Sequence, residues 1–411
     1  MRNQTVKAAA LVAAGVLLLA ACGTNKEEAP AGGGENQAAC DTSKGTLVVG
    51  VIAPLSGELS ALGKGIENST RLAVDQANEK CAVKGYKLAV QAEDDQKNPQ
   101  LGAQAATKLA STPGVVGVVS TLNSSVSQSV QPILDQAGIL QISPANTNDT
   151  LTKGEDFETA PKRPYKTYFR TCTTDGLQGP YAADYLVEKA GKKNIAIVTD
   201  GLTYGEGLAD TFTKQAQAKG AKIVTRQKVG EKDTDFSGAI SAVKPFNPDA
   251  VYFGGQYPQA GPLSKQLAGA GLNVPVMGGD GIFDDAFIEL GGKDGDLATS
   301  VGAPTEELDS AKAFVEAYEK AGYKEGFSAY GAFSYDATNA IVTSLGKTIG
   351  DGEWADSMRE DLVKNTGEYD AEGATGKVSF DEFGDSTNKV LTVYQVSGGK
   401  WEAVQTGEFG G

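Results

Sequence analysis

Short apolar runs that alternate with helical stretches constrain this chain more than any other feature. Residues 48–52 are nearly continuous hydrocarbon, are followed by Pro54 and Ser56-Gly57, and lead into a helical pattern over about 62–79. The same alternation recurs, with strands at 87–92, 115–119 and 140–143 and helices at 100–110 and 127–136. Strands covered on both faces read as unbroken apolar runs, and parallel neighbours need a helical crossover, so the pattern predicts a doubly wound α/β unit.

A second series follows Arg170. Asp175 is placed to cap a helix running through Ala190; 194–198, 223–227, 250–253 and 274–277 read as strands, with helices at 207–217, 236–243 and 260–270. Beyond that the chain changes character, with helices at 308–321 and 335–348 and strands at 377–380 and 390–396. These late elements have too little core of their own and are expected to add to the two units already formed. With 411 residues the chain exceeds what one hydrophobic core serves. The expectation is an α/β chain of two doubly wound Rossmann-like domains joined by a multi-crossover hinge. One lobe takes 45–170 plus 305–375, the other 171–304 plus 376–411.

Ahead of these elements, Arg2 and Lys7 precede an apolar stretch over about 8–19 that ends in Leu19-Ala20-Ala21-Cys22. That order reads as a lipoprotein signal: 1–21 as signal peptide, Cys22 as the acylated residue, and 22–44 as a flexible lipidated tether containing Gly32-Gly33-Gly34. The apolar stretch is too short and alanine-rich for a span of about 20 residues. The expected address is the extracytoplasmic face of the cell membrane, held by lipid.

Composition removes several function classes. Lys and Arg number 37 against 52 Asp and Glu, a net charge of −15, so nucleic acid is not an expected partner. No histidine occurs anywhere, which eliminates the commonest general base and the Ser-His-Asp and Cys-His arrangements. No enzyme chemistry, cofactor or metal is expected. Gly346-Lys347-Thr348 mimics the end of a phosphate loop, but Ile341 stands where that motif needs glycine. Cys40 falls just before the first strand and Cys81 just before the second, at one end of a parallel sheet. A Cys40–Cys81 disulfide is expected, with Cys172 free.

Ligands of open α/β sheets bind beyond the carboxyl ends of the strands. There, 115–119 is followed by Ser120-Thr121-Leu122-Asn123-Ser124-Ser125 and then a helix, whose free N–H groups and hydroxyls suit a carboxylate; Ser124 as a plain helix cap is the alternative. After 140–143 comes Pro144-Ala145-Asn146-Thr147-Asn148. In the second half, Tyr204, Tyr257 and Asp280 occupy strand-end loops, where ordinary loop roles are the alternative.

Several segments in this order resemble the branched-chain amino-acid-binding proteins of ABC importers, the leucine/isoleucine/valine-binding group of the type I periplasmic-binding-protein fold. They are 50–57 (GVIAPLSG), 138–145 (GILQISPA), Arg170-Thr171 with Gln178-Gly179-Pro180, Tyr204-Gly205-Glu206-Gly207, Tyr257, and Tyr335-Asp336-Ala337, and the likeness runs from about Thr46 to Val404. The resemblance implies that Ser124, Thr147 and backbone atoms of Ala145 hold a ligand α-carboxylate. It implies that Asp280 receives the α-ammonium, that Tyr257 closes the far side and that Tyr204 stands at the cleft edge. Leu62 replaces an aromatic that often covers the ligand side chain, and the cysteine pair usual in the family near the second strand and the Ser124 loop is missing, with Gln96 and Asn123 in the neighbourhood instead. The implied function is capture of a branched-chain or other aliphatic amino acid and delivery to a membrane permease by a monomer. A solute sensor, or a binder of a small amide or carboxylate, is the alternative.

Overall fold

The computed structural model describes residues 40–409. The expected signal peptide over 1–21, the acylation site Cys22 and most of the expected tether lie outside the described residues.

Five parallel strands form the first sheet: β1 (Gly45–Ala53), β2 (Tyr86–Asp94), β3 (Val115–Ser120), β4 (Leu140–Ser143) and β5 (Tyr168–Arg170), in the order β2-β1-β3-β4-β5. Every residue of β3 and β4 is buried; β3 accordingly reads as an apolar run, while β4 keeps Gln141 and Ser143 among its buried residues. The second sheet contains β6 (Asn194–Thr199), β7 (Lys222–Lys228), β8 (Ala250–Gly254), β9 (Val276–Gly278) and β10 (Leu297–Val301), all paired in parallel. A small antiparallel ribbon of β11 (Asp370–Gly373) and β12 (Gly376–Ser379) stands apart. Then β13 (Val390–Ser397) and β14 (Lys400–Glu408) complete the second sheet on an antiparallel edge, giving β14-β13-β10-β9-β8-β6-β7.

The helix Gly331–Ile349 returns to the first sheet, packing on the helix Ser60–Glu79 and on β3 and β4. The chain thus passes between the two sheets after Arg170, after Val301 and before Val390. Arg170 pins two of these passages. It is fully buried, and its Nε donates to Asp385 Oδ1 at 2.6 Å, its Nη1 to the Asn146 and Asn148 carbonyls at 2.8 and 2.9 Å, and its Nη2 to Thr152 Oγ1. A buried guanidinium is tolerable only when its donors are met in this way.

The β1–β2 register sets Gly45 beside Tyr86, so the strands begin side by side. Cys40 and Cys81, just upstream, are joined by a disulfide with a Cα–Cα distance of 5.5 Å; Cys172 is free and buried.

Sequence pattern and structure part at several elements. Asp175 does not cap its helix: it is the first residue of Asp175–Asp184, and the Gly176 N–H is taken by Asp149 Oδ2 at 2.7 Å. The last turns of that helical stretch are a π-helix, Tyr185–Lys189. Strand β10 carries Ala298, Thr299 and Ser300 at its centre, so no apolar run announces it although it lies inside the sheet. β14 is a largely exposed edge.

Candidate ligand site

Both clusters of expected ligand residues stand at the carboxyl ends of the parallel strands. On the first sheet, the helix Ser124–Gln136 begins at Ser124 itself, and the preceding Asn123 makes no side-chain cap bond. Asn123 instead offers its carbonyl to the N–H groups of Val126 and Ser127 at 3.1 and 3.0 Å. Among the described residues no acceptor meets the N–H groups of Ser124 and Ser125, so Ser124 does not serve as a plain cap and its turn presents free donors. The neighbouring loop after β4 is fixed by Ser143 Oγ, which accepts from the Ala145 and Asn146 N–H groups at 3.2 and 2.9 Å. Asn146 Nδ2 reaches the Leu122 carbonyl at 2.9 Å and ties the two loops together. Thr147 is fully buried and its hydroxyl has no hydrogen-bond partner among the described residues. Leu62 is buried in one apolar cluster with Leu59, Leu122 and Ala145.

On the second sheet, Tyr204 and Tyr257 stand in the first turns of the helices Thr203–Ala218 and Tyr257–Gly269, not in loops. Pro258 suits a helix start, where its missing N–H is not needed. Gly205 does not break the other helix; it is small because the backbone ahead of it is close. A Cβ on Gly205 would lie 2.3 Å from the Gly254 carbonyl oxygen, and one on Gly254 would lie 2.1 Å from that of Gly205.

Asp280 is the centre of the arrangement. Its Oδ1 accepts from Tyr204 Oη at 2.8 Å and Gln178 Nε2 at 3.0 Å, and its Oδ2 from Tyr330 Oη at 2.8 Å. Gln178 Oε1 takes the Asp280 N–H at 2.7 Å and the Thr299 hydroxyl at 2.8 Å, while Tyr204 Oη also accepts from the Gly281 N–H at 2.9 Å. Burial raises the Asp280 pKa, and the bonds from Gln178, Tyr204 and Tyr330 draw it partly back. All three donors are neutral, and no ion pair reaches this carboxylate among the described residues. A carboxylate has about four lone-pair sites, so one remains for a cationic donor.

The two halves meet around this point. Tyr257 Oη donates to the Glu58 carbonyl, Asn148 Nδ2 to the Thr203 carbonyl at 3.0 Å and Thr203 Oγ1 to Gln128 Oε1 at 3.0 Å, while Lys97 Nζ pairs with Glu231 at 3.5 Å. Sequence reasoning missed Tyr330 and left Gln178 without a role. Tyr330 carried no signal, because it lies far along the chain on a return passage; Gln178 was quoted in a motif, but its partner is 102 residues away.

The chain belongs to the periplasmic binding protein family, whose sequence model matches residues 46–400, and it has the type I fold of that family. It is 32% identical over 359 residues to the Leu/Ile/Val-binding protein BraC3 of Rhizobium johnstonii, covering 87% of this chain and 92% of that one. Among solved structures it is similar to the leucine-binding protein LivK of Thermotoga maritima, at 26% identity and a TM-score of 0.78 over 88% of this chain and 98% of the other. The branched-chain amino acid binding protein LivJ of Streptococcus pneumoniae, in complex with isoleucine, gives 27% identity and a TM-score of 0.77 over 88% and 99%.

Proposed function

We propose that this protein is the extracytoplasmic binding component of an ABC importer. It captures an aliphatic, branched-chain α-amino acid between two closing lobes and hands it to a membrane permease. The observation that carries this reading is the Asp280 carboxylate, buried, held by three neutral donors and without an ion-pair partner among the described residues, while the other half offers the free N–H groups of Ser124 and Ser125. Opposed sites for a cation and an anion, one on each half, suit a zwitterion. The names of the relatives, and the isoleucine held by the pneumococcal neighbour, support the choice of ligand class. In this reading Ser124, Thr147 and Ala145 take the carboxylate and Asp280 the ammonium. Tyr257 closes the cleft, Tyr204 orients Asp280, and Leu62 backs the side-chain pocket. The lobes are 45–170 with 305–375 and 171–304 with 376–411. Acylation at Cys22 would keep this monomer beside its permease.

A thermal-shift and calorimetry panel of amino acids, small amides and carboxylates on the chain lacking residues 1–21 tests the proposal. A ligand at a thousand times its Kd adds about 4 kcal/mol of stability. Stabilisation by leucine, isoleucine or valine is expected. A flat response to every α-amino acid would overturn the reading in favour of an amide or carboxylate ligand.

A further inference from the structure

Beside Asp280 lies a second acid with no structural duty. Asp175 is 1% exposed, and neither of its carboxylate oxygens has a hydrogen-bond partner among the described residues. It does not cap the helix it begins, since Asp149 does that work. Buried polar atoms are normally satisfied, and leaving a carboxylate orphaned is among the costlier arrangements a fold can hold.

Its surroundings are orphaned as well. Thr147 Oγ1 and Tyr252 Oη, both 0% exposed, also lack partners. Thr147 approaches Asp175 without meeting hydrogen-bond geometry, and the Tyr252 hydroxyl is held protonated by burial and then by the negative charges of Asp175 and Asp280. Charge accounting points the same way. Arg170 has its donors committed to Asp385, two carbonyls and Thr152, and Asp149 is paired with Lys153. Neither Asp175 nor Asp280 has an ion-pair partner among the described residues. Burial, then the charges of Asp280 and Asp149, raise the Asp175 pKa, the direction expected for neighbouring buried acids without an ion-pair partner.

We propose that Asp175 is a second carboxylate for the ligand's ammonium group, so that the closed site selects its ligand chiefly by positive charge. The inference rests on the amino-acid reading above. An ammonium carries three donors and no acceptor. The vacant position on Asp280, the carboxylate of Asp175 and a lone pair of the Thr147 hydroxyl, whose O–H still donates to the ligand carboxylate, supply three acceptors, and two acids outweigh the single helix N-terminus available to a carboxylate.

The wild-type protein gives the first test, by calorimetry with leucine, with leucinamide, which keeps the ammonium and lacks the carboxylate, and with 4-methylpentanoate, which has the reverse. Leucinamide is expected to bind and 4-methylpentanoate to show no measurable binding; equal affinity for the two would overturn the proposal. The second test is Asp175→Asn. Leucine affinity is expected to fall about tenfold or more, while the unliganded variant unfolds at the wild-type temperature or above it, since an orphaned buried charge is removed. A loss of affinity matched by a loss of stability would mark Asp175 as structural, and undiminished leucine affinity would leave it no part in binding; each result overturns the proposal. If the wild-type protein binds no α-amino acid at all, the functional reading fails and takes this inference with it. Binding of leucine with an indifferent Asp175→Asn variant defeats the inference alone.

Discussion

Tyr330 Oη donates to Asp280 Oδ2 at 2.8 Å, and the two residues come from opposite halves of the molecule. Tyr330 immediately precedes the helix that packs on the first sheet, whereas Asp280 follows β9 in the second. On the proposed reading, the acceptor for a ligand ammonium is therefore completed only when the halves meet. Contacts present in one state and absent in the other are what shift an equilibrium between them.

Tyr330→Phe removes one hydrogen bond to a buried carboxylate, a loss of about 1.5–3 kcal/mol. Leucine affinity measured by calorimetry is expected to fall roughly 10- to 100-fold. An unchanged Kd would show that Gln178 and Tyr204 suffice.

Asp280→Ala removes the anion itself and leaves Gln178, Tyr204 and Tyr330 facing one another. Amino-acid binding is expected to disappear while far-ultraviolet circular dichroism keeps its native shape. Wild-type affinity in this variant would refute the assignment of Asp280.

Tyr257→Phe loses the bond to the Glu58 carbonyl, a contact between the halves that leaves ligand-free closure weaker. Small-angle scattering of the unliganded protein is expected to show a larger radius of gyration than wild type. Leucine affinity should fall by roughly the cost of one neutral hydrogen bond, about 0.5–1.5 kcal/mol. Identical scattering curves would argue that this contact contributes nothing to closure.

Cys81→Ser opens a cross-link spanning 41 residues, for which chain entropy gives about 4 kcal/mol. The disulfide sits where β1 and β2 begin and the proposed ligand residues sit where strands end, so leucine affinity per folded molecule should not change. Chemical denaturation and calorimetry measure the two quantities separately.

Asp385 sets a pH dependence. Burial alone would raise its pKa, but Arg170 and Lys153 hold it down at about 2. A carboxylate depressed in the folded state contributes stability above its unfolded pKa of about 3.9 and loses it as pH falls through the folded value. Unfolding free energy should therefore decline between about pH 4 and 2 on this account. Asp385→Asn should remove that segment of the slope and destabilise the protein at neutral pH by about 3–5 kcal/mol, because Arg170 is left buried and unpaired. An acid limb unchanged in the variant would contradict the assignment.

Most of the strands could be read from sequence because burial on both faces favours unbroken apolar runs, as in β3 and β8. β10 could not, because Ala298, Thr299 and Ser300 serve close packing and the Gln178 bond rather than bulk burial. The helix starts at Tyr204 and Tyr257 were placed too late, since glycines that permit close backbone approach look locally like breakers. Asp280 drew attention because glycines surround it at a strand end. Tyr330 and Asp175 did not, since one acts from a distant passage of the chain and the other resembles a helix cap in every local respect.

Gly205 and Gly254 each occupy the space the other's side chain would need, carbonyl against Cβ in both directions. They amount to one position divided between two places in the chain. A methyl group at either would push the start of the Tyr204 helix off the end of β8 and carry the Tyr204 hydroxyl away from Asp280. No compensating change at the partner is available, because glycine has nothing left to give up. Among proteins that hold such an aspartate in this manner, both glycines should be kept.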